Sequence, residues 1–205
     1  MIKIISSNEA LGAKITGLDL SKTLSNENEK IIMHALGQYG QICFPNQKLK
    51  TGELKSFSKC FGTLEINIAA SSFCDKDHPE VMILSNIIQD GKPLELFDAG
   101  QDWHTDMYYS KDIAFANVLY GLKIPRREGI SLGCTKFADM LNFLFKHQLQ
   151  KKFIYEHKWS ENDVIMWDNI GTLHNAVADY TSLEHRFIKR CQVMADKVLE
   201  MPLTM

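Results

Sequence analysis

The chain has 205 residues, 45% hydrophobic and 23% charged, with a formal net charge of -2 at neutral pH. That length suffices for one well-buried core, so a single domain over residues 1–205 is expected, and the composition excludes a disordered or fibrous chain. Without a long basic block there is no nucleic-acid partner to expect, and without a run of roughly 18 apolar residues there is no membrane span.

Met1 to Ser6 lacks the apolar stretch of a signal peptide, which makes the cytoplasm the expected compartment. Cys43, Cys60, Cys74, Cys134 and Cys191 are scattered, odd in number and free of any C-x-x-C pair. This spacing argues against a disulfide framework or a zinc knuckle and for reduced thiols, buried or half-buried.

Ile2 to Ile5 reads as a short strand and Gly12 to Leu20 as a second extended piece. Ser25 and Asn26 offer N-cap side chains, Glu27 and Glu29 suit a first helical turn, and Ile31, Ile32, Ala35, Leu36 and Tyr39 follow at helical spacing. Gly40 stops that helix, and Gln41 to Phe44 is a strand ended by Pro45. A second helix is expected from near Thr51 to Gly62, burying Leu54, Phe57 and Phe61.

Val81 to Leu84 reads as a buried strand, Leu94 to Gly100 as a loop, and Phe115 to Tyr120 as a strand. Pro125 to Gly133 is turn-rich, while Phe137, Met140, Leu141, Leu144 and Phe145 share one helical face. Phe153 to Trp159 alternates as a half-solvated strand does, and Asp163 to Trp167 and Phe187 to Met194 complete the set. Many short strands with a few mostly early helices predict a mostly β, α+β chain: a sheet sandwich with helices packed outside.

The chemistry concentrates in two stretches. Gln101 to Tyr109 contains His104-x-Asp106, whose side chains share one face if the stretch is extended. Tyr108 and Tyr109 follow Met107, and one of them, Tyr108 first, is the candidate for lining a substrate pocket, with strand packing as the alternative. The second stretch, Trp167 to His174, supplies another imidazole, followed by Arg186 and Arg190. Two histidines and a carboxylate with open coordination positions form the facial triad of non-haem Fe(II) oxygenases. An arginine on a neighbouring strand can hold a co-substrate carboxylate by a two-pronged contact. Trp103, Trp159 and Trp167 are expected in the core, and His34, His147, His157 and His185 have no evident role.

Together these residues resemble the taurine/2,4-D dioxygenase family of Fe(II)- and 2-oxoglutarate-dependent enzymes. The match is carried by Leu11 to Leu20, Gln41 to Gln47, Phe57 to Leu64, Trp103 to Asp106, Gly133 to Asp139 and Trp167 to Arg190, in the family's order. The resemblance implies a double-stranded β-helix, a jelly roll of the clavaminate synthase type. It implies iron ligation by His104, Asp106 and His174. It implies 2-oxoglutarate binding by Thr135 and Arg186, and a substrate anion at Arg190. Dioxygen would be consumed, with release of succinate and CO2 and hydroxylation of a small anionic substrate; members often form homo-oligomers. Asn67 and Gly100 stand where the taurine enzyme has a histidine and an asparagine that contact substrate, so taurine itself is not expected.

One departure is large. Thr135 to Met140 runs directly into Leu141 to Phe145, although the family has a long segment between the corresponding pieces. Either chain is missing after residue 140, or the barrel is shortened and more open. The rival readings are a non-catalytic relative that binds metal and 2-oxoglutarate, and a zinc hydrolase with two histidines and an aspartate.

Overall fold

The central strands are apolar on both faces because one face meets two helices and the other lines a cavity. The computed structural model describes residues 1–68, 70–89, 92–93, 103–125, 130–132, 147–176 and 184–199. Its elements are β1 (Lys3–Ser6), β2 (Ala13–Thr16), α1 (Asn26–Tyr39), β3 (Gln41–Phe44), α2 (Thr51–Lys59), β4 (Met82–Ser85), β5 (Ile88–Gln89) and β6 (Lys92–Pro93). They continue with β7 (Ala114–Lys123), β8 (Ile130–Leu132), β9 (Tyr155–His157), β10 (Val164–Asp168), β11 (Asn175–Ala176), β12 (Phe187–Met194) and a short final helix, Asp196–Leu199.

Among the described residues, one sheet has seven strands in the order β1-β2-β3-β10-β7-β12-β4. All its pairings are antiparallel except β2 with β3. A second sheet has the order β11-β8-β9, and β5 and β6 form a separate hairpin. No helix among the described residues is long and apolar enough to cross a membrane.

Helix α1 forms where the sequence signals it. The Ser25 hydroxyl accepts from the Asn28 N–H at 3.2 Å, and Gly40, in the left-handed region at φ 66°, donates to the Leu36 carbonyl at 2.8 Å. Helix α2 begins with the Lys50 N–H donating to the Glu53 carboxylate at 2.7 Å. Its Phe57 ring meets Phe44 and Phe61 edge-on at 5.5 and 5.3 Å between centroids. Ile32, Leu36, Leu54 and Phe57 pack against Ile42, Phe44, Val118, Val164, Met166 and Val193 of the large sheet. A Cβ on Gly62 would lie 2.4 Å from the Met194 carbonyl, so only glycine lets the chain after α2 approach the end of β12 this closely.

Side chains alternate across each strand, and the opposite face presents Leu119, Ile165, Trp167 and Ile188 to the interior. Trp159, from the loop after β9, closes over them. This arrangement agrees with the expected sandwich with external helices, and it adds two corrections. Ile130–Leu132, expected in a turn-rich connection, is a strand because β9 and β11 pair with it from distant sequence. Val81 is buried but precedes β4, whose half-buried pattern follows from its place at the sheet edge. The loop expected at 94–100, the helical face over 137–145 and the short segment after residue 140 lie outside the described residues.

Truncating Phe57 removes the ring that couples α2 to β3. Phe57→Ala should lower stability by about 3–5 kcal/mol without changing the secondary structure. Urea unfolding followed by far-ultraviolet circular dichroism measures this, and a loss below about 1 kcal/mol would show that the helix layer is not anchored there.

Candidate metal centre

Two distant segments are stitched together by a pair of backbone hydrogen bonds. The His104 N–H donates to the His174 carbonyl at 3.0 Å, and the His174 N–H donates back at 2.8 Å. The bridge sets the imidazoles side by side, 4.2 Å between centroids. Among the described residues of the stretch, the bridge forms at His104, and residues 106–109 form a turn, with Met107 in the left-handed region at φ 59°.

That turn brings Asp106 back between the rings. His104 Nε2 lies 3.6 Å from one carboxylate oxygen, and His174 Nε2 lies 3.7 Å from the other. The ligand atoms of all three residues lie within 4.8 Å of one another. These separations are too long for hydrogen bonds and suit donors that share one cation.

Asn169, almost fully buried, holds the turn in place. Its carboxamide accepts from the Asp106 N–H at 3.0 Å and donates to the Asp106 and Ala114 carbonyls at 2.9 and 3.0 Å. Asn117 donates to the same amide oxygen at 3.2 Å, and the Thr105 hydroxyl donates to the Asn169 carbonyl. A long side chain at positive φ costs about 1 kcal/mol, which these bonds offset. Asn169 belongs to the Trp167-Asp168-Asn169 motif, but its role is not legible there because its partners lie 52 to 64 positions away.

Burial would by itself raise the Asp106 carboxyl. The His104 imidazole facing it, the Arg190 guanidinium and His174 outweigh burial and hold it well below the usual carboxylate range. His174 behaves oppositely: burial pushes it down to about 4 against the pull of Asp106, so its imidazole is neutral near pH 7. The His174 Nδ1 is buried with no hydrogen-bond partner, and Trp167 packs 4.8 Å from the ring.

The three side chains border a cavity of about 190 Å³, walled by Leu119, Trp159, Ile165 and Trp167. Trp159 and Trp167, expected in the core, are buried but form its walls. Arg186 lies just before β12, Ile188 and Arg190 follow at two-residue intervals within it, and both arginines line the cavity. Arg190 donates to Asp106 at 3.1 Å. Asn86, not singled out by the sequence, accepts from the Arg186 N–H at 2.7 Å and donates to the Glu184 carbonyl at 2.7 Å, which pins the entry to β12. Tyr108 is 77% exposed, packs edge-on against Tyr109, and is not among the cavity-lining residues. Thr135 lies outside the described residues.

A family model described as "Taurine catabolism dioxygenase TauD, TfdA family" matches residues 4–144 and 130–192. The two matched stretches overlap over residues 130–144. Pentalenolactone F synthase from Streptomyces avermitilis is 28% identical over 134 residues, 64% of this chain and 42% of that protein. The alpha-ketoglutarate-dependent 2,4-dichlorophenoxyacetate dioxygenase of Cupriavidus pinatubonensis is 33% identical over 60 residues, 29% of this chain and 21% of that protein. The match to the first spans well under half of that relative's length.

A taurine dioxygenase structure from Burkholderia xenovorans superposes with a TM-score of 0.77 at 20% identity, covering 94% of this chain and 90% of that one. AAD-2, solved in complex with Mn(II) and N-oxalylglycine, gives 0.74 at 18% identity, covering 95% and 97%. The fold is therefore the double-stranded β-helix.

Two outcomes follow from the geometry. Asn169→Ala should leave the chain folded while weakening divalent-metal binding about 10- to 100-fold, read by metal titration of the metal-free protein; unchanged affinity would show that the turn holds itself. His174 titrates near 4 when folded and near its ordinary 6.5 when unfolded. The unfolded chain therefore takes up the proton first, and the stability owed to neutral His174 is complete above about pH 6.5 and lost as pH falls towards about 4. Metal-free His174→Gln should unfold with a shallower pH dependence in that window.

Proposed function

The chain belongs to the taurine catabolism dioxygenase TauD, TfdA family, and on that premise we propose that it is an Fe(II)- and 2-oxoglutarate-dependent dioxygenase acting on a small anionic molecule. The observation that carries this reading is the convergence of His104, Asp106 and His174 on one cavity that also contains Arg186. Two imidazole nitrogens and one carboxylate are the donor set for Fe(II) with open positions. An imidazole that stays neutral and a carboxylate that stays ionised need lose no proton before ligating.

When bound, iron and 2-oxoglutarate supply the oxidation: dioxygen decarboxylates 2-oxoglutarate to succinate and CO2 and leaves one oxygen atom in a substrate C–H bond. The protein's part is to bind, orient and exclude water. Arg186 takes the distal carboxylate of 2-oxoglutarate through its planar fork, with Thr135 assigned to the same group. Arg190 holds Asp106 in its ligating orientation and presents positive charge to the substrate anion. Leu119, Ile165, Trp159 and Trp167 make the surrounding wall apolar, which strengthens both charge pairings. The Arg186 carboxylate clamp favours this reading over a zinc hydrolase, whose chemistry needs no dicarboxylate.

Anaerobic titration of the metal-free protein with Fe(II) and 2-oxoglutarate tests the reading through the visible metal-to-ligand charge-transfer band. The wild type should develop the band and release succinate when oxygen and a substrate are admitted. His174→Ala should abolish the band, and Arg186→Ala should weaken 2-oxoglutarate binding about 10- to 100-fold while iron still binds. A folded wild type with neither band nor succinate would overturn the proposal, and a band without succinate across small sulfonates, carboxylates and phosphonates would point to a non-catalytic relative.

A further inference from the structure

Among the described residues a second set of metal-ligating side chains converges away from the first centre. Cys43 on β3, His157 at the end of β9 and Asp163 just before β10 are all buried, with their ligand atoms within 4.8 Å of one another. Cys43 and Ile165 are paired neighbours on adjacent strands. Ile42 and Phe44 point into the helix-facing core, so Cys43, between them, points to the opposite face. There it meets β9 of the second sheet.

The separations resemble those of the first centre. His157 Nε2 stands 3.6 Å from Asp163 Oδ2, too far for a hydrogen bond. Nitrogen, oxygen and sulfur ligands arranged tetrahedrally around one zinc ion lie roughly 3.4–3.6 Å apart. His157 is 7% exposed, and its Nε2 is buried with no hydrogen-bond partner. Its other ring nitrogen, Nδ1, lies 3.4 Å from the Tyr155 hydroxyl. A partner on one imidazole nitrogen orients the ring so that the other presents its lone pair, the usual support of a metal-bound histidine. Asp163 is held independently: its Oδ2 accepts from the Ser160 N–H at 3.0 Å, and its carbonyl accepts from the Gly121 N–H at 3.0 Å.

We propose that Cys43, His157 and Asp163 bind a second divalent cation of the zinc class. The donor chemistry selects the ion. A soft thiolate beside an imidazole favours zinc over magnesium or calcium, and thiolate plus carboxylate neutralise its two positive charges, as a buried site requires. Ligation releases the Cys43 proton to solvent and breaks no covalent bond other than S–H. A surface cleft of about 420 Å³ reaches all three residues, giving the ion an entry path and leaving room for water in the fourth position. The bound ion ties β3 and β10 of the large sheet to β9 of the small one. His157 also lines the cavity of the first centre, so occupancy fixes one wall of that cavity.

Cobalt(II) reports thiolate ligation through near-ultraviolet sulfur-to-metal charge transfer, which a centre of two histidines and an aspartate cannot produce. Titrating the full metal-free chain with cobalt and counting bound ions should give two per wild-type chain, with that absorption. The His104→Ala/His174→Ala variant should bind one ion and keep the absorption. Cys43→Ser and His157→Gln should each bind one ion and lose it, whereas Cys60→Ser and Cys74→Ser should leave both readings unchanged. A wild type without the absorption, or its persistence in either Cys43→Ser or His157→Gln, would overturn the proposal. If Cys43→Ser fails to fold, the wild type, the double-histidine variant and His157→Gln still decide it.

Discussion

The reciprocal pair of hydrogen bonds between His104 and His174 is the constraint on which the candidate centre depends. Nothing in either segment alone would keep two imidazoles in contact, because each is a short irregular piece following other structure. The bridge fixes their separation, and Asn169 fixes the turn that returns Asp106 between them. The three donors are therefore positioned mainly by backbone hydrogen bonds and one buried carboxamide. Such bonds are short-range and directional, so they hold side chains to the tolerance that metal ligation requires.

The large sheet supplies the platform for that stitching. Its helix-facing side is closed by aromatic and aliphatic packing, which leaves the opposite face free to carry function. On that face the strands alternate between apolar wall and chemistry: Ile165 beside Cys43, Ile188 between Arg186 and Arg190, and Trp167 leading into the loop to His174. A few strand positions thus serve two chemically different clusters. Electrostatics follow from the same layout, since one half-buried carboxylate, two imidazoles and an arginine line one cavity. Asp106 stays ionised because positive and polar partners surround it, and His174 stays neutral because burial dominates.

Much of the fold was legible along the chain. Helix α1 was readable from Ser25, its acidic first turn and Gly40, all local signals acting within a few residues. β12 was readable from residue alternation, and β3 from an apolar run ended by proline. Ile130–Leu132 is not legible as a strand because a short segment beside Pro125 and Gly129 carries little local preference and pairs only with distant neighbours. His157 looked idle because its partners, Cys43 and Asp163, come from other strands.

By itself the sequence determined which residue types were available and how each segment prefers to fold. It supplied the two histidines, the aspartate, two arginines four positions apart at and just before one strand, the caps and the apolar periodicities. Those are properties of single residues and near neighbours, and they survive in a linear reading. The tertiary structure decided the turn at Asp106, the amide clamp by Asn169, the pairing of Arg190 with Asp106, and the meeting of Cys43, His157 and Asp163. Each of these depends on residues brought together by strand pairing across long stretches of chain, and long-range contact geometry is not encoded in any local pattern.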